Sequence, residues 1–270
     1  MSEFQEFPKV PRLNRDVVIT EKIDGTNAQV LVEQLDRGAD LSAFAHETDL
    51  VAAIDVDDAP YLVRAGSRSR WLRPGKQDNH GFSAFVAANA ESLVRALGAG
   101  RHYGEWWGLG INRGYGLKGK VFSLFNVSRW GEAAGYLDPR CAVPFDPGVA
   151  QQPDAAHKYV RGAKVCRCRE AREAISLNLD GGRVRSVPVL YEGPWHIPYE
   201  VASPGMPPKL VHPGGGEWAP KYCLNLLREH GSVAAPGFTK PEGVVVYHTA
   251  GNLLFKATLE GDEGHKGEDR

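Results

Sequence analysis

The sequence predicts an α+β fold, built from antiparallel sheets with a few covering helices. Three observations carry that expectation. Eight short segments have the β-branched and aromatic content of strands, two stretches carry the period of an amphipathic helix, and the two kinds do not alternate regularly. A doubly wound parallel sheet needs a β-α-β rhythm, so that architecture is excluded.

The strand-like segments are residues 17–23, 28–33, 61–67, 102–107, 121–127, 186–192, 243–248 and 252–258. The first two flank Asp24-Gly25, a pair that reads as a hairpin turn because glycine accepts the positive φ such turns need. Taken alone, that window is a surface hairpin carrying one solvated lysine, Lys22. Residues 82–97 put Phe82, Phe85, Val86, Leu93, Val94 and Leu97 near one helical face, with Gly98 as a stop. A second helix, 220–230, starts at Pro220, ends before Gly231 and turns Cys223, Leu224 and Leu227 to its apolar side. Proline- and glycine-rich stretches at 138–154, 193–216 and 233–241 read as loops, of a length more often functional than structural. Residues 1–260 are expected to form one domain, and the polar tail 261–270 to fray.

At 270 residues, 42% hydrophobic and 24% charged, the chain can bury a substantial core and has the make-up of a soluble globular protein. No apolar run is long enough to span a membrane, and Met1-Ser2-Glu3-Phe4 lacks a basic-then-apolar leader. A cytoplasmic protein without a membrane partner is expected. Its cysteines are Cys141, Cys166, Cys168 and Cys223; the 166/168 pair is too tight for a zinc ribbon and has no second pair. Reduced thiols are the expectation. The net charge of −1 decides nothing about nucleic acid, but its distribution does more. Acidic residues crowd 33–58, and a basic run (Lys158, Arg161, Lys164, Arg167, Arg169, Arg172) reads as a solvated face. Arg64, Arg68, Arg70 and Arg73 surround Trp71, a mixture able to hold phosphates and stack on bases.

Six short motifs follow one another along the chain. They are Lys22-Ile23-Asp24-Gly25, Gly66-Ser67-Arg68-Ser69-Arg70-Trp71, Arg101-His102-Tyr103-Gly104-Glu105-Trp106-Trp107-Gly108, Phe122-Ser123-Leu124-Phe125-Asn126, Pro241-Glu242-Gly243-Val244-Val245-Val246-Tyr247, and Leu254-Phe255-Lys256. This succession resembles the covalent lysyl-nucleotidyltransferase superfamily of polynucleotide ligases and mRNA-capping enzymes. Thr26-Asn27, Ser67-Arg68, the Tyr103-Gly104-Glu105 triplet and the 121–127 strand are most similar to its ATP-dependent RNA ligase branch. The likeness covers about residues 17–258, nearly the whole chain.

The resemblance implies a nucleotidyltransferase (ATP-grasp-like) domain of antiparallel sheets with flanking helices and no C-terminal OB domain. It makes Lys22 the nucleophile that takes AMP from ATP, with Lys256 gripping the α-phosphate beside it. Glu105 and Glu242 would hold the ribose edge and a divalent metal, Mg²⁺ or Mn²⁺. Glu21, Ile23, Arg68 and Phe125 would contact the nucleotide, Phe125 by stacking on adenine. Asn27, Arg70 and Trp71 would face an RNA bearing a 5′-phosphate or a 3′-hydroxyl. The chemistry is self-consistent. An amine with an ordinary pKa of about 10.4 must be made neutral to attack phosphorus, which takes roughly 4 kcal/mol of differential destabilisation if it is to titrate near 7. Burial and a second cation supply that.

Each piece has a plainer reading. Phe125 fits a core aromatic, Glu242-Gly243 a turn entering a buried strand, Glu105 a strand-end carboxylate, Arg68 a surface charge and Asn27 a turn residue. The final motif departs from Lys-x-Lys by having Leu254 at its first position, so another lysine or arginine is expected to substitute. Asn126 stands where many relatives carry Asp. The rival functions are a DNA nick-sealing ligase, a GTP-using capping enzyme and a non-catalytic RNA-binding relative of the fold.

Overall fold

Alternation along the first strand fixes the layout. In β1 (Asp16–Lys22) the odd residues Val17, Ile19 and Glu21 are buried, and the even ones, Val18, Thr20 and Lys22, are half-buried on the other face. Successive side chains of a strand point to opposite sides, so this single strand separates a core from a cavity. The computed structural model describes residues 4, 9–75, 78–130, 175–196, 199–201, 209–211 and 218–260.

Strand β1 lies inside a four-stranded antiparallel sheet. One neighbour is β9 (Val189–Pro194); the other is β12 (Gly243–His248), whose far side pairs with β13 (Leu253–Thr258). Helix α4 (Ala219–His230) covers its apolar face, with Ala219, Cys223 and Leu227 on Val17, Ile19, Leu190, Tyr191, Val244 and Val246. Pro220 sits in the first turn, where its missing N–H costs nothing, and Gly231 closes the helix at φ 81°. Cys223 is buried; the other three cysteines and the basic 158–172 run lie outside the described residues.

A second sheet of seven strands runs β3 (Ala52–Val56), β4 (Ala59–Gly66), β2 (Thr26–Gln34), β5 (Gly100–Gly108), β6 (Lys120–Leu124), β8 (Gly182–Ser186) and β7 (Ser176–Leu179). Helices α1 (Phe82–Ala88) and α2 (Ala90–Leu97) cover it. Phe82 and Phe85 pack on Trp106 at ring distances of 5.4 and 4.9 Å, and Phe82 also meets Phe122. The two sheets join through Ile23, Trp107, Tyr115, Val121, Val187, Ala234 and Ala235. A short ribbon, β10 (Tyr199–Val201) with β11 (Lys209–Val211), lies within the expected 193–216 loop. Among the described residues no helix is long and apolar enough to cross a membrane.

Several expectations are corrected. Strands β1 and β2 do not pair, so Asp24-Gly25 is a crossover between sheets and not a hairpin turn. Gly25 is also not in the left-handed region. It is required because a Cβ there would lie 2.6 Å from the Trp106 carbonyl oxygen and 2.7 Å from Trp107 Cβ. The 82–97 helix breaks at Asn89, whose side chain bonds the Phe85 carbonyl and both the N–H and the carbonyl of Asp180. The 186–192 segment is split between β8 and β9 around Pro188. Pairing is not wholly antiparallel, since β6 and β8 run parallel.

The acidic 33–58 segment is ordered against the body. It forms β3 and a two-residue hairpin turn at Asp57-Asp58, with φ of 52° and 59°. Its carboxylates take up arginines: Arg64 pairs with Glu33 and Glu47, Arg73 with Asp49, and Arg95 with Asp57. Arg64 and Arg73 are therefore committed to protein carboxylates. That corrects their assignment to a phosphate-holding group.

Candidate active site

A cavity of about 740 Å³ opens between the two sheets. The even face of β1 (Val18, Thr20, Lys22) forms one wall, extended by Val245 and Tyr247 of β12 and by Leu254 of β13. The opposite wall comes from Asn27 of β2, from Arg101, Tyr103 and Glu105 of β5, and from residues 125–130. That last stretch follows β6 and contains the helical turn α3 (Val127–Trp130).

Lys22 ends β1 with its side chain 24% exposed, and its amine forms an ion pair with Glu242 Oε1. Glu242 precedes β12 and faces Lys22 because Lys22 pairs in register with Gly243. Its second oxygen, Oε2, is buried and accepts no hydrogen bond. A buried acceptor left open costs on the order of 1–3 kcal/mol, so the position is prepared for a ligand, a water or an ion.

Glu105 lies across the cavity, 8% exposed. Its Oε1 accepts from the Gly25 N–H at 3.1 Å and its Oε2 from Asn27 Nδ2 at 3.0 Å. Burial pushes its carboxyl up to about 7, against the opposing pull of Asn27, the Lys22 charge and the Gly25 N–H, while the negative charge of Glu242 adds to the rise. Two glutamates that act on one another across a lysine, one of them with an open oxygen, suit a hard divalent cation. Among the described residues no group of three or more His, Cys, Asp or Glu could hold a metal alone. Mg²⁺ ordinarily takes one or two carboxylates and completes its shell with water and phosphate oxygens, so the residues fit.

The remaining expected residues are placed differently from one another. Phe125 lines the cavity at 44% exposure, beside Tyr103 at 54%; the Phe125 N–H donates to the Tyr103 carbonyl at 2.9 Å. Ile23 and Asn27 are also on the wall. Lys256 is exposed and sits off the lining; its register with Val245 and Thr20 puts it on the cavity side of its sheet, next to Leu254. Glu21 belongs elsewhere. Its backbone borders the cavity, but its carboxylate is buried and accepts from Ser232 Oγ (2.6 Å) and from the N–H groups of Val233 and Ala234 (2.8 Å each). Burial raises its pKa against those three bonds and the Arg185 charge. The Glu21 side chain is an anchor for the loop that leads to Glu242.

Arg68 and Arg70 lie on an exposed turn closed by the Ser67 N–H to Arg70 carbonyl bond at 2.8 Å, outside the cavity lining. Gln29 connects that turn to the cavity: its amide donates to the Ser67 carbonyl at 2.8 Å, and its oxygen accepts from Arg101 at 2.6 Å. The Arg101 guanidinium lies 5.1 Å over the Trp71 ring.

Several wall and support residues are absent from the sequence motifs. Arg129 is one; with Arg101, the first residue of the Glu105 motif, it brings positive charge to the wall opposite Leu254. The 111–115 loop grips Asp24-Gly25 through Asn112, Arg113 and Tyr115. The signal available was the glycine-rich run 108–116, which directly follows the Glu105 strand.

Facing sheets, a half-buried lysine paired with a glutamate, a second glutamate opposite and an exposed ring at the wall define an α+β domain of the nucleotidyltransferase type. The family model described as RNA ligase matches residues 15–258, and the chain belongs to the RNA ligase family. Comparisons with curated proteins and with solved structures give no significant match.

Proposed function

We propose that the protein is an ATP-dependent RNA ligase that joins a 5′-phosphate to a 3′-hydroxyl through a lysyl-AMP intermediate. One observation carries this reading. The Lys22 amine is drawn out of bulk water onto Glu242, inside a nucleotide-sized cavity that also holds Glu105 and an exposed Phe125 ring.

In the first step Lys22 Nζ attacks the α-phosphorus of ATP. Glu242, its ion-pair partner, first takes one proton from the Lys22 ammonium; the N–P bond then forms, the P–O bond to pyrophosphate breaks, and the second proton shed by the nitrogen leaves to solvent. In the second step an oxygen of the RNA 5′-phosphate displaces the lysine from that phosphorus. In the third, the RNA 3′-hydroxyl attacks the activated 5′-phosphate and AMP departs. All three are phosphoryl transfers, for which positioning and charge neutralisation are the main requirements. Phe125 offers its face to adenine, and Lys256, Arg101 and Arg129 are the cations within or beside the cavity. Glu105 and Glu242 would hold Mg²⁺ or Mn²⁺, which supplies charge neutralisation at the phosphates when bound.

Incubation with α-labelled ATP and Mg²⁺ tests the reading. Label should enter the wild-type protein and not Lys22→Ala, and should then chase onto 5′-phosphorylated RNA. Label retained by the alanine variant rejects Lys22 as nucleophile. Transfer to nicked DNA in preference to RNA favours the DNA-sealing alternative, and label from GTP alone favours a capping chemistry.

A further inference from the structure

We propose that Arg113, outside the cavity, is a positioning residue that holds three segments of the site in mutual register for adenylyl transfer; the inference rests on the ligase reading. Its guanidinium makes three separate bonds. Nε donates to Asp24 Oδ2 at 3.0 Å, Nη1 to the Lys240 carbonyl at 3.1 Å, and Nη2 to Glu260 Oε1 at 2.8 Å. Asp24 lies two residues after Lys22, Lys240 two before Glu242, and Glu260 four after Lys256. One planar fork thus ties the nucleophile, its carboxylate partner and the β13 cation to a common point.

The surrounding loop is built to present that fork. Ile111 and Tyr115 are fully buried, and Tyr115 packs 4.5 Å from the Phe238 ring and 4.9 Å from Trp107. The loop turns through left-handed conformations at Asn112 and Tyr115, with φ of 42° and 52°, which for non-glycine residues persist only where the surroundings enforce them. Here they do. Tyr115 accepts the Asp24 N–H at 2.8 Å, while Asn112 donates to Asp24 Oδ1 at 2.9 Å and to the Gly25 carbonyl at 2.6 Å. The Asp24 N–H and carboxylate and the Gly25 N–H and carbonyl therefore all face this loop or Glu105.

Arg113 is not among the residues that line the cavity. Its partner Glu260 is 73% exposed, the setting in which an ion pair contributes little to global stability, whereas the pair with Asp24 beside Lys22 is half-buried. Lysine cannot replace it, because an ammonium on a flexible stem does not reproduce a rigid fork with three directions. The device orients and does not merely stabilise.

The test compares wild type, R113K and R113A in single-turnover transfer of label from α-labelled ATP, with the KM for ATP and thermal unfolding measured alongside. Misplacement of reacting groups by about 1 Å costs roughly a hundredfold, so R113A should lose about that much rate. Its KM for ATP should stay within about twofold, the pattern of an interaction felt in the transition state. R113K should fall in between, and added guanidinium ion should restore part of the R113A rate. An R113A protein that labels at the wild-type rate overturns the inference, as does one whose loss lies wholly in KM. If R113A fails to fold, R113K decides alone, and its wild-type rate also overturns the inference. Wild type that takes no label overturns the ligase reading instead, which separates the two failures.

Discussion

Glu105 offers a stability measurement that needs no substrate. Burial holds its carboxyl near pH 7 in the folded chain, against an ordinary value of 4.5. Between those two pH values the folded protein keeps a proton that the unfolded chain has released. Stability must therefore fall as pH rises from about 4.5 through about 7. At about 1.36 kcal/mol per pH unit the gap comes to about 3 kcal/mol, and at 8% exposure little of it is lost to solvent screening. The perturbation is Glu105→Gln, which keeps the shape and removes the titration. Its amide oxygen can accept from Gly25 or Asn27 but not both, so a constant loss is expected at every pH. Urea unfolding of both proteins from about pH 4.5 to about pH 8 gives the difference curve. Glu21 and Asp78, whose burial also raises their pKa values, are present in both proteins and cancel. The wild type should lose about 3 kcal/mol relative to the variant across that range. Parallel profiles would refute the claim that Glu105 is held protonated by its site.

Two further variants probe how the cavity is assembled. Gly25→Ala should destabilise the fold by about 1–3 kcal/mol and slow labelling by ATP, because the new methyl meets Trp106 backbone and the Glu105 stem; an unchanged urea midpoint would contradict the close approach seen there. Glu21→Ala should cost about 2–4 kcal/mol by leaving the Val233 and Ala234 N–H groups unpaired, whereas a side chain used only for nucleotide contact would leave apo stability unchanged.

Much of this arrangement was legible in the sequence because it depends on alternation. The apolar lead-in Val17-Val18-Ile19 places Lys22 on the opposite face from the buried Val17 and Ile19, the face that becomes a cavity wall. Of the other motif residues, Glu105 and Phe125 line the same cavity and Glu242 pairs with Lys22. What escaped were features set by tertiary contact. Asp24-Gly25 has the composition of a hairpin, and only the partners of β1 and β2 reveal a crossover between sheets. Asn89 interrupts an otherwise continuous helical period because its side chain is engaged by Asp180, which is distant in sequence. Whether the acidic run 33–58 orders against the body was open from the sequence, because the arginines that balance it, Arg64, Arg73 and Arg95, reach it only through the fold. Glu21 adjoins the nucleophile in sequence, yet strand parity turns its carboxylate away from the cavity. Arg113 has only the glycine-rich run around it as a local signal, since its role comes from partners brought together from residues 24, 240 and 260.

The central claim is that the Lys22 nitrogen becomes covalently bonded to an adenylyl group. Peptide mass spectrometry after incubation with ATP and Mg²⁺ addresses it most directly. The account predicts one added adenylyl group, confined to the peptide containing Lys22, labile to acid as a phosphoramidate is, and lost when RNA with a 5′-phosphate is supplied. An unmodified Lys22 peptide under those conditions, or an adenylyl group found on another residue, would contradict it.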